Sequence, residues 1–238
     1  MRIRLPLGRT LFFVVAFLFA LLATLPLRLA LEWFAPDNRG FSAREAGGSI
    51  WLGWLSEPRI GAVALGDLQA SLRTLPLFAG LARLDLERDD PAAPFDGSVT
   101  LARHRFGVDD LTARLDLSRA LAPLPLGVVD LSDLDVHFAD GQCKSAQGLV
   151  KTTVGGDLAG MPLSDGLGGA ARCDGGALLL PLASTSGMAK LDLRLFDGGS
   201  YAMELMVLPS DDIMRDRLLG SGFRLSGSGY AMTANGKF

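Results

Sequence analysis

The chain has 238 residues, a formal net charge of −3 and 49% hydrophobic residues. That apolar content excludes a disordered chain, and the length allows one domain, or two small ones, beyond a terminal segment. Net acidity argues against binding nucleic acid, or anionic headgroups, through a generally basic surface.

The first element is apolar. Arg2, Arg4 and Arg9 precede a run from Leu11 to Leu31 that is almost without polar interruption. Between Leu11 and Leu27 only Ala16, Ala20, Ala23, Thr24 and Pro26 are not strongly apolar. A helix across a hydrocarbon core needs roughly 20 apolar residues, with about 17 as the lower limit. The run therefore predicts a single transmembrane helix over residues 10–31, with Pro26 near its far end. The leading arginines place a tip of residues 1–9 in the cytoplasm and the bulk of the chain across the membrane. In a bacterium this is a single-pass inner-membrane protein with a periplasmic domain. A cleaved signal peptide would have an apolar core of about 7–15 residues and small residues at its cleavage site. The run here is longer, and Pro26-Leu27-Arg28-Leu29-Ala30-Leu31 offers no small-x-small pair, so an uncleaved anchor is expected. Four of the chain's 23 basic residues (Arg2, Arg4, Arg9, Arg28) and none of its 26 acids precede residue 32, which leaves 19 against 26, or −7, for the exported part.

A polar neck over 32–46 follows, and then a β domain over 47–238. Arg59–Leu65 and Leu68–Arg73 alternate loosely, and Leu81–Glu87, Leu111–Leu117, Leu131–Phe138, Met188–Phe196, Tyr201–Val207 and Gly222–Leu225 alternate with a period of two. Gly, Pro, Asp and Ser punctuate these segments at strand spacing, as in antiparallel strands with one buried and one wet face. The predicted fold is mainly β: an N-terminal membrane helix followed by a curved, twisted antiparallel sheet, as a half-barrel or groove. Gly66–Leu72 with Leu75-Pro76-Leu77 and Leu84-Asp85-Leu86 is echoed by Asp109–Leu115 with Leu124-Pro125-Leu126 and Leu134-Asp135-Val136. This is either a repeat of about 40 residues or the self-similarity of any Leu-rich β protein. The glycine-rich stretch Gly155–Gly176 lacks the Gly-x-x-x-x-Gly-Lys pattern and reads as hairpin loops. A short helix is expected after the cap residues Ser210, Asp211 and Asp212, with Ile213-Met214 and Leu218-Leu219 on one face and Gly220 as its stop.

Chemistry-bearing residues are few. Cys143 and Cys173 are the two cysteines. In an oxidising compartment they are expected to form a disulfide; a metal or reactive thiol is the alternative, but neither has a neighbouring His and there is no Cys-x-x-Cys. His104 lies between Arg103 and Arg105. His137 shares a strand face with Asp133 and Asp135, and Leu134, Val136 and Phe138 take the inner face. No Gly-x-Ser-x-Gly or His-Glu-x-x-His occurs. No catalytic residues, metal or cofactor are expected. Just after the neck, Gly48-Ser49-Ile50-Trp51-Leu52-Gly53 reads as a packed corner where the β domain meets the helix.

These features in this order resemble the type II secretion system protein N family. The residues that carry the resemblance are Gly48, Ile50, Trp51 and Gly53 after the neck, the two spaced cysteines, and the ending from Gly229 and Tyr230 to Phe238. Leu52 and Leu72 depart from the pattern, where Asn and Trp are usual. The resemblance implies a non-catalytic accessory component of the machine that exports folded proteins across the outer membrane. Its implied partners are the inner-membrane platform, the connector or the secretin. It also implies a relation to AsmA-like envelope proteins, whose curved β groove holds lipid. A phospholipid-binding or lipid-shuttling groove is therefore the alternative function.

Overall fold

The computed structural model describes residues 7–34, 41–118, 126–154, 157–158, 161–162 and 166–237. Arg2 and Arg4 of the expected tip, residues 35–40 of the neck, Leu124-Pro125 of the second echo, part of the glycine-rich stretch and Phe238 lie outside them.

The apolar run is two helices, α1 (Leu7–Ala23) and α2 (Leu27–Phe34). This differs from the single helix expected over 10–31. Proline lacks an N–H and its ring clashes with the preceding turn, so Pro26 ends one helix and starts another. Among the described residues no helix is long and apolar enough to cross a membrane. The side chains of α1 from Leu11 to Leu22 are unpacked, the large ones being 49–72% exposed. Leu27 of α2 is 3% exposed and packs with Leu55 and Ala70 of the β domain.

Then follow β1 (Phe41–Ser42), β2 (Glu45–Gly48), β3 (Gly53–Ser56), β4 (Arg59–Ile60), β5 (Val63–Ala64), β6 (Leu68–Leu72), α3 (Thr74–Leu77) and β7 (Ala82–Arg88). The long middle strands are β8 (Phe95–Ala102), β9 (Arg105–Asp116), β10 (Leu126–Ala139) and β11 (Gln142–Val154). The second half holds β12 (Asp157–Leu158), β13 (Met161–Pro162), β14 (Leu167–Ala170), β15 (Arg172–Asp174), β16 (Ala177–Ala183), β17 (Ala189–Leu195), β18 (Ser200–Val207), α4 (Asp212–Gly220), β19 (Arg224–Ser226) and β20 (Gly229–Lys237).

Fifteen strands make one antiparallel sheet in the order β19-β20-β18-β17-β16-β14-β11-β10-β9-β8-β7-β6-β3-β2, with β15 beside β16. The sheet is open, with β2 and β19 as its edges. Nearly every neighbour is also the next long strand in sequence, so the topology is a meander. The segment read as one loose strand at 59–65 is instead the β4–β5 hairpin, turned at Gly61 (φ 58°) and joined by β1 into a small separate sheet.

The apolar face is covered by these smaller elements. Leu27 and Leu31 of α2 lie over Leu55, Ala70, Leu84 and Leu86. Val63 and Leu65 lie over Leu68, Phe95 and Ala113. Met214 and Leu218 of α4 join the main core of β10, β11, β14, β16, β17 and β18. Asp211 caps α4, accepting the Met214 N–H at 2.7 Å. Only Met214 and Leu218 face the core; Ile213 and Leu219, expected on the same face, are 68% and 49% exposed.

The middle of the sheet is bent by adjacent bulges. Asp110 in β9 and Asp133 in β10 have φ of 53° and 48°, and the register shifts at both. Gly148 of β11 lies against the second bulge, where a Cβ would come within 2.5 Å of the Asp133 carbonyl. Each bulged amide has a side-chain acceptor on the neighbouring strand: Asp110 N–H donates to Asp135 at 2.7 Å and Asp133 N–H to Thr112 Oγ1 at 3.3 Å.

Candidate functional site

The Trp box is the turn between β2 and β3, and it grips the junction of the two helices. Gly48 turns the chain with φ 78°. Gly53 has no room for a side chain, since a Cβ would lie 2.6 Å from Leu27 Cδ2 and 2.9 Å from the Ser49 carbonyl. Ile50 is 4% exposed; its N–H donates to the Leu25 carbonyl at 3.0 Å and its carbonyl accepts from Leu72 N–H at 2.9 Å. Ser49 bridges to Pro26. The indole Nε1–H of Trp51 donates to the Leu22 carbonyl at 3.1 Å. In a continuous helix that carbonyl would accept from residue 26, which is proline. Trp51 supplies a donor that Pro26 cannot.

A second site lies on the polar face of β7 to β11. His137 stands directly opposite Gly107, where a Cβ would come within 2.8 Å of the imidazole. The missing side chain leaves room for the ring, so that Nε2 lies 2.7 Å from Asp109 Oδ1 and Nδ1 lies 3.2 Å from Ser145 Oγ. Asp109 also accepts from Thr100 Oγ1 at 3.0 Å and pairs with Arg83 at 3.7 Å. Beside it, Asp135 accepts from Asp110 N–H and from Gln147 Nε2 at 2.6 Å. These donors, the backbone N–H first, hold the Asp135 carboxyl below its ordinary value. A carboxylate–imidazole–hydroxyl series is the order of a nucleophile relay. Such a relay also needs donors aimed at a developing oxyanion. Here Arg83 lines the depression together with Asp109, Asp110 and Asp135, and Ser145 stands on an open strand face. The series runs as a polar ladder across the bend.

The other sequence-predicted residues lie elsewhere. Cys143 and Cys173 form a disulfide, with Cα atoms 5.5 Å apart, tying the start of β11 to β15. Gly229 opens β20, where a Cβ would come within 2.9 Å of the Val207 carbonyl. Tyr230 pairs with Val207 on one side and Leu225 on the other. The Trp box and the Gly229–Tyr230 pair thus sit at opposite edges of the sheet. Sequence reading found His137 and Asp135 on one face but missed Asp109, Gly107 and Ser145, which join them only through the register of three strands.

No curated protein and no solved structure matches the chain. The sequence model of the family described as type II secretion system (T2SS), protein N, matches residues 39–231. The matched span begins after α2 and takes in the Trp box, both cysteines and the opening of β20. With most of its length so matched, and with the box, the disulfide and the open antiparallel sheet in place, the chain belongs to the type II secretion system protein N family.

Proposed function

We propose that the chain is a non-catalytic accessory scaffold of type II secretion, held at a bacterial inner membrane by α1, with its β domain in the periplasm. Family membership over residues 39–231 is the observation that carries the reading. The anchor is supported by the exposed apolar side chains of α1 and by the arginines before it. The short edge strand β19, with Leu225 71% exposed, is the place we assign to strand addition by a platform, connector or secretin partner. The covering of the apolar face by α2, the small sheet and α4 favours a scaffold over a groove that holds phospholipid.

Deleting the gene in a strain without a paralogue tests the proposal. Proteins bound for the medium should accumulate in the periplasm, and the full chain supplied in trans should restore their export. Undiminished export in the deletion strain would overturn the role in secretion.

A further inference from the structure

The end of the sheet that holds α1 also carries the most exposed apolar residues of the β domain. Antiparallel order brings the β2–β3 turn, the β6–β7 connection with α3 and the β8–β9 turn to that end, followed across the sheet by the β10–β11 and β17–β18 turns. Leu52 in the first is 82% exposed, and Leu75 and Phe78 in the second are 81% and 89% exposed. Leu72 N–H bonds to the Ile50 carbonyl, so the α3 connection is tied to the same turn that grips Leu22 and Leu25 of the helix junction. These side chains pack on nothing, yet they are held in place: Phe78, Ala79 and Gly80 N–H donate back to Leu75, Pro76 and Leu77 at 2.9–3.3 Å.

Charge is arranged in the same sense. Arg103 and Arg105 in the third connection are exposed and form no ion pair with another described residue, and Arg28 is exposed just past Pro26. The β7–β8 connection at the far end carries Asp89 and Asp90 instead. The chain is acidic overall, but the turns nearest α1 present these arginines beside apolar side chains, and Asp140 and Asp197 line the depression next to Arg103 and Arg105.

We propose that this end is a lipid-docking surface. Leu52, Leu75 and Phe78 enter the interfacial layer of the bilayer beside α1, and Arg28, Arg103 and Arg105 meet phosphate headgroups. The inference rests on the reading of α1 as the anchor. At 17 residues α1 falls short of a full span, so a domain gripped at Leu22, within its last turn, is drawn down to the membrane surface. Leucine and phenylalanine on a small protruding turn, with Trp51 at its root, suit the interfacial layer, and guanidinium groups beside them suit anionic lipid.

The test uses the full chain in vesicles of phosphatidylethanolamine and phosphatidylglycerol. The native cysteines are bonded to each other, so single cysteines introduced by Phe78→Cys, Leu75→Cys, Leu18→Cys and Ala92→Cys can each carry an environment-sensitive fluorophore. Quenchers attached to the lipid chains then report depth. The expected result is strong quenching at positions 18, 75 and 78 and none at 92, with Arg103→Glu plus Arg105→Glu moving the position 78 label toward water. Quenching at 18 with water exposure at both 75 and 78 overturns the docking surface and leaves the anchor standing; the apolar tip then faces a protein. A water-exposed label at 18 overturns the anchor and the docking surface together.

Discussion

At the level of single residues, glycines and carboxylates decide much of this molecule's architecture. Gly107 makes room for His137, and Gly53 makes room for Leu27. Trp51 is the residue whose loss should be felt most locally. Trp51→Phe keeps an aromatic ring and removes the donor to the Leu22 carbonyl. The expected loss is about 0.5–1.5 kcal/mol, one hydrogen bond to a carbonyl that keeps the Leu25 N–H at 3.4 Å. Thermal unfolding of the full chain in detergent measures it, and an unchanged midpoint would remove the indole from the account. Asp135 gives a pH prediction. Its folded value is depressed by the Asp110 and Gln147 donors. The ionised form is therefore favoured in the folded state. The stabilisation is complete above the ordinary carboxylate value of about 4 and is lost as pH falls through the lower folded value. Urea midpoints measured from neutral pH downward should fall in that acid range, and less steeply in Asp135→Asn. Parallel curves for the two proteins would show that the bulge does not depend on this charge.

At the level of elements, the smaller pieces act as covers for a sheet too open to bury its own apolar face. Helix α4 covers it through Met214 and Leu218, and its start depends on the Asp211 cap. Asp211→Ala should cost about 0.5–2 kcal/mol, read as a lower urea midpoint. No change would show that packing alone fixes α4. The disulfide spans 30 residues and joins β11 to β15. Cys143→Ser should lower stability by about 2–5 kcal/mol. Equal melting of the native protein with and without reductant would refute this.

Much at this scale was legible. Met188–Phe196 and Tyr201–Val207 alternate because every second side chain is buried, and these segments, like the half-buried Leu81–Glu87, are strands. Strand β16 gave no alternating signal because Leu178, Leu179 and Leu180 are all buried. In β8 and β11 the pattern is interrupted at Gly97 and Gly148, beside the bulged strands. The division between α1 and α2 could have been read from Pro26, which cannot give the Leu22 carbonyl its helical i+4 donor. That Trp51 supplies it required the fold. The polar ladder was hidden for the same reason: Asp109, His137 and Ser145 are far apart in sequence and meet only through strand register.

At the level of the whole molecule, burial is uneven along the sheet. Ala189, Leu191, Val207 and Leu218 have no exposed surface, and all belong to the half built from β16, β17, β18 and α4. Amide exchange should be slowest in β17, which is laddered along its whole length on both sides, and faster in β2 and β3 at the edge. Uniform protection across the sheet would mean that it opens only as one unit.

The meander has a consequence for how the molecule is made. From β3 to β18 each strand of the main path pairs with the preceding one on that path, so every ladder closes over a short stretch of chain. Low contact order of this kind favours rapid assembly. A polypeptide that emerges N-terminus first can lay down its sheet strand by strand, starting from the hairpin that grips the helix junction. Strand β20 pairs with both β18 and β19, so the β19–β20 hairpin completes this edge of the sheet only once residues through Lys237 have emerged.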